Sequence, residues 1–150
     1  MDELIQKILA NILPAIANTS LSERYCEAVL KRLVSFGYAL KERDGWMVCF
    51  AMQKTENRIK NSCNISAIPD GLFHVAVDMA CGEFLLAKKQ TGTLEIAQLD
   101  LNRAVTQIRE GDTTVQFANG TSDEEKLNTF LNHLLHSGES ELVCYRKLSW

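Results

Sequence analysis

Three histidines and five cysteines are the residues of this chain best equipped for chemistry. His133 and His136 stand three apart, a helical spacing that can set two imidazoles side by side for a metal ion. No Cys, Asp or Glu is spaced so as to converge on them, and they lie off the Leu127, Leu131, Leu135 stripe, so a wet helix face is expected and no metal site. His74 borders an apolar stretch, where it could act as a general base for a thiol, but nothing in the sequence supplies the orienting third group. A boundary histidine is expected there. Glu83 interrupts an apolar run, where burial would perturb a carboxylate; the expectation is a polar seam between helices or subunits. Cys26, Cys49, Cys63, Cys81 and Cys144 are odd in number, widely separated and in no C-x-x-C pair, which predicts reduced thiols without a disulfide framework or a zinc quartet. The turn Arg109-Glu110-Gly111-Asp112-Thr113 has one glycine and no G-K-[ST] context, so it is no phosphate loop. No catalytic residue and no cofactor is therefore expected. Near the end, Tyr145, Arg146, Lys147 and Trp150 put aromatic rings beside bases. That combination stacks on nucleic acid or anchors a protein interface, and the net charge of −3 favours the protein.

The elements that position these residues are mainly helical. Pro69 to Gly92 is apolar around most of a helical circumference, through Leu72, Phe73, Val75, Ala76, Val77, Met79, Ala80, Cys81, Phe84, Leu85, Leu86 and Ala87. A helix over about residues 70–90 is thus central and buried, with Lys88 and Lys89 in its last turn, where the dipole favours cations. Before it, residues 2–17 carry an apolar stripe interrupted or kinked at Pro14. Ser20 or Ser22 caps a second helix that Gly37 stops. These two form a helical hairpin over 1–37. The run from Tyr38 to Asp44 is charged and aperiodic, which predicts a linker or frayed helix end. Asp44 then caps a helix from Gly45 to Ser62. Its first half, with Trp46, Val48, Cys49, Phe50 and Met52, is expected to be buried; its second half, with only Ile59 and Cys63, mostly wet. It should pack antiparallel to the central helix.

After Gly92 the periodicity changes. Thr113, Val115 and Phe117 alternate with Thr114 and Gln116, and Glu110-Gly111-Asp112 supplies a turn, so a β-hairpin is expected over about 103–118. Two strands alone are marginal in water and need cover from the helices or from another copy. Ser122 to Glu125 reads as a capping box opening a last helix, which Gly138 ends. Residues 139–150 are left as an interaction tail. The expected architecture is mainly α, a small helical bundle around the central helix with one β-hairpin, in a single domain over 1–150 with its core over 45–138.

Composition sets further bounds. With 150 residues, 46% apolar and 23% charged, the chain can bury one sizeable core. An acidic balance argues against wrapping nucleic acid by neutralising phosphates. The amino terminus MDELIQ has no signal-peptide character and no apolar run approaches the ~20 residues of a membrane span. A reducing cytoplasm, or something assembled in one, is the expected setting, with no membrane partner.

Taken in order, NSCNISAIPDGLFHVAVDMACGEFLL, AVTQIREGDTTVQF, LNTFLNHLL and the terminal YRKLSW resemble head-tail connector (head completion, adaptor) proteins of long-tailed bacteriophages and prophages of Gram-positive bacteria. The resemblance covers about residues 45–150. It implies a structural virion protein at the head-tail junction, assembled in the host bacterial cytoplasm. The subunits would form a homo-oligomeric ring, typically dodecameric, beneath the portal protein and above a stopper or tail-completion protein. DNA would pass through the ring without sequence-specific binding. The family pattern places Ile108, Gly111, Asp112, Thr113, Val115 and Phe117 in a hairpin or inter-subunit loop. It places Tyr145, Arg146, Lys147, Leu148 and Trp150 in a tail that engages the portal or a neighbouring subunit. Two other classes stand beside this one: a helical DNA-binding regulator reading through residues 2–37 with Arg24, Lys31 and Arg32, and a small thiol-dependent enzyme.

Overall fold

The computed structural model describes residues 2–16, 21–92, 94 and 123–146. In chain order its helices are α1 (Asp2–Ile16), α2 (Glu23–Ser35), α3 (Gly45–Cys63), α4 (Phe73–Gln90), α5 (Asp123–His136) and α6 (Glu139–Cys144), with 3-10 turns at Glu42–Asp44 and Asp70–Leu72. No strand occurs among the described residues. The hairpin expected over about 103–118 lies outside them.

Local chemistry explains the boundaries. Ser22 caps α2 by accepting the Tyr25 N–H at 3.1 Å, and Gly37 at φ 87° turns the chain out of that helix. Asn64, at φ 55° and ψ 50°, ends α3 in the left-handed region that Asn tolerates better than most side chains. α1 is not interrupted at Pro14, which lies within its last turn, so the missing amide costs one bond close to a helix end.

Helix α4 is buried around most of its girth, by Val75, Ala76, Val77, Met79, Ala80, Cys81, Phe84 and Leu85. Helices α2, α3 and α5 all pack on it. α3 runs antiparallel to it: Asp44 at the head of α3 meets Lys88 near the end of α4, and Lys54, further along α3, meets Glu83, further back along α4. On the other side Gly82 lets α5 approach closely, since a Cβ there would sit 3.0 Å from both Leu134 Cβ and Leu135 Cγ. α1 is not a separate unit. Ile5, Ile8, Leu9, Ile12 and Ile16 join the same apolar cluster as α4 and Phe130 of α5.

Three expectations need correction. The stretch from Tyr38 to Asp44 is no loose linker, because Tyr38, Leu40 and Asp44 are buried and a 3-10 turn closes it. The second half of α3 is not mostly wet: Thr55, Glu56, Ile59 and Cys63 face inward. In its first half, Trp46 is 73% and Phe50 69% exposed, while Val48, Cys49 and Met52 are buried. At 100° per residue, 46 and 50 fall together on the face opposite 48 and 52. Composition suggested one apolar block where helical geometry divides two.

Candidate interaction surface

The last described helix docks on the core through one buried residue, Leu142. Ser137 and Gly138 turn the chain from α5 into α6, and a Cβ at Gly138 would lie 2.5 Å from Val75 Cγ1, so only glycine lets the turn sit this close to α4. Leu142 is buried, and its carbonyl accepts the Cys63 thiol at 3.2 Å. Charged contacts ring the helix: Glu139 with Arg58 at 3.2 Å and His136 at 2.7 Å, Glu141 with His74 at 3.1 Å. The His136 contact is the first cause holding the Glu139 carboxyl below its ordinary range. The expected interaction tail thus begins later than residue 139. Tyr145 lies over Gly71, with its hydroxyl where a side chain at 71 would begin, and remains 39% exposed. Arg146 is exposed. Lys147, Leu148 and Trp150 lie outside the described residues, as do Ile108, Gly111, Asp112, Thr113, Val115 and Phe117.

The histidines are distributed among different contacts. His136 and His74 contact the glutamates of α6, and His133 is half-buried near the Arg32 to Asp78 ion pair of 3.0 Å. No group of three or more His, Cys, Asp or Glu suited to a metal occurs among the described residues. Glu83 pairs with Lys54 at 3.1 Å, a polar seam between α3 and α4 as expected.

All five thiols are free, and all but Cys144 are buried. Burial pushes Cys26 up to about 12 and raises Cys49, Cys63 and Cys81 as well. A thiol kept in its neutral form is a poor nucleophile.

What the sequence reading missed is the surface around Trp46 and Phe50. They line a groove of about 420 Å³ together with Ala15, Ile16, Met47, Ala87 and the paired Lys54 and Glu83. Arg43, one turn before Trp46, is also exposed. The signal was present in the spacing, since two aromatics at i and i+4 off the Val48 and Met52 stripe must share the opposite face. On α6, Val143 is also exposed, at 70%.

No protein-family model, curated protein or solved structure matches the chain. The surface must therefore be interpreted from its own chemistry. Exposed aromatic rings rimmed by a base and an ion pair are the composition of protein contact sites.

Proposed function

We propose that this chain is a self-assembling structural subunit of the head-tail connector kind. It would form a ring beneath the portal of a long-tailed phage, pass DNA through a channel without reading its sequence, and meet a stopper or tail-completion protein on the other side. The observation that carries the reading is a buried helical core with large apolar side chains left exposed outside it, Trp46 and Phe50 on one face of α3 and Val143 and Tyr145 at the end of the described chain. A subunit that completes itself against neighbours needs such patches. Residues 103–118, with Ile108, Gly111, Asp112, Thr113, Val115 and Phe117, are the proposed hairpin between subunits. Tyr145, Arg146, Lys147, Leu148 and Trp150 are the proposed portal-engaging end, now reduced to the residues beyond the core position of Leu142.

The other classes draw less support. A regulator reading DNA through residues 2–37 needs available bases, but Arg32 pairs with Asp78, Lys31 with Glu27, and Arg24 lies 4.2 Å over the Phe73 ring. A thiol enzyme needs a cysteine of lowered pKa, and four of the five are shifted the other way.

Electron microscopy of the protein mixed with its portal tests the proposal. A ring of added density beneath the portal is expected; portal particles without added density, at saturating protein, would remove the connector reading.

A further inference from the structure

Where the head of α3 meets the end of α4, a carboxylate and an amine are held together out of water. Asp44 is fully buried and the Lys88 side chain is 8% exposed, its Nζ standing 2.8 Å from Asp44 Oδ1. Aromatic rings close the place off. The Phe84 ring, one turn back on α4, has its centroid 5.9 Å from that Nζ, and the Tyr38 ring packs edge-on against Phe84 at 5.4 Å.

The other carboxylate oxygen has different company. Oδ2 accepts the Tyr38 hydroxyl and the Lys41 N–H, each at 3.0 Å. Both donors are set by the fold, Tyr38 by burial of its ring and Lys41 by the 3-10 turn that it opens. Burial, and after it the charge of Asp44, raises the Tyr38 phenol, so the hydroxyl keeps its proton. An ion pair needs only two opposite charges. This one also has the parts of an acyl-transfer site: a nucleophile against a carboxyl group, two preorganised donors on the oxygen where charge develops, and a dry enclosure.

We propose that Asp44 and Lys88 close to an isopeptide bond, slowly and within the folded chain. The freshly folded protein carries the ion pair, and the bond follows on standing. A proton passes from the ammonium to Oδ1, and the neutral amine attacks Cγ. As the C–N bond forms, charge moves onto Oδ2, where the Tyr38 hydroxyl and the Lys41 N–H stabilise it. The nitrogen gives a second proton to Oδ1, the Cγ–Oδ1 bond breaks, and Oδ1 leaves as water. One ammonium and one carboxylate thus become one amide and one water. Free in solution the two groups do not condense, but here the fold holds them in contact at a high effective concentration. The closed loop from residue 44 to 88 takes in all of α3 and most of α4, and it restricts the unfolded chain as a disulfide does.

Mass spectrometry of the full chain tests this. Protein kept folded for days and then denatured should weigh one water less than its sequence. After proteolysis the peptide holding Asp44 and the peptide holding Lys88 should be recovered as one species. Chain held in urea throughout should keep its full mass. Tyr38→Phe removes a donor from Oδ2 and keeps the ring; shown to be folded by circular dichroism, it should close at least about tenfold more slowly.

An unaltered, folded chain that keeps its full mass would overturn the proposal. So would a lost water with the two peptides separate, since a succinimide at Asp70-Gly71 sheds the same mass within one peptide. A Tyr38→Phe chain that closes as fast as the unaltered one would overturn the route through Oδ2.

Discussion

The ammonium of Lys88, near the end of α4, lies 2.8 Å from Oδ1 of Asp44 at the head of α3, and both side chains are buried. The contact is an ion pair between two groups taken out of water. Asp44 does not cap α3. Its Oδ2 accepts the Tyr38 hydroxyl and the Lys41 N–H, each at 3.0 Å, so one carboxylate ties the 38–44 stretch to the central helix. The same carboxylate and burial, burial first, raise the Tyr38 phenol above its ordinary range and keep it a donor.

Removing one partner strands the other charge in the core. Asp44→Asn should cost about 3 to 5 kcal/mol in urea unfolding, while pairing it with Lys88→Met should cost clearly less than the sum of the two single changes. Additive losses would mean the two groups do not interact.

The approach of α5 to α4 depends on Gly82. Gly82→Ala should destabilise by about 1 to 3 kcal/mol through overpacking against Leu134 and Leu135, and Leu85→Ala by about 2 to 5 kcal/mol through the cavity it leaves. A Gly82→Ala chain as stable as the original would show that the helices can part at no cost.

Cysteine accessibility gives a chemical check on the core. In the native protein an aromatic disulfide reagent should modify Cys144 alone, with Cys26, Cys49, Cys63 and Cys81 reacting only after denaturant is added. Rapid modification of two or more thiols in native buffer would contradict the packing around α4.

Burial, the largest influence, holds His133 below the ordinary imidazole range; Asp78 opposes that shift and Arg32 reinforces it. The unfolded chain therefore takes up this proton at a higher pH than the folded one. Its contribution to stability is complete above the unfolded value of about 6.5 and is lost as pH falls from there through the lower folded value. Urea midpoints should drop on acidification from about pH 7.5 to about pH 5, and His133→Gln should reduce that drop. An unchanged drop in the variant would assign the dependence to other groups.

The central helix was legible because Val75 to Leu85 are apolar on nearly every face, a pattern with only one placement. α2 was legible from Ser22 and Gly37, whose roles depend on neighbours within a few residues. What could not be seen depends on partners far apart in the chain. Nothing near Asp44 announces Lys88, and nothing near Leu142 announces Cys63, so a buried ion pair looked like a cap and the buried Leu142 like part of a tail. Trp46 and Phe50 were misplaced for a different reason: hydrophobicity was weighed over a block of residues when the angle around the helix decided it.

α3 has a mechanical consequence. It is 19 residues long, about 28 Å, with the aromatic groove at one end and the anchorage of α6 at the other. A push delivered to the groove travels along its axis as compression of a stiff strut, braced laterally by α4, and reaches α6 without crossing a loop.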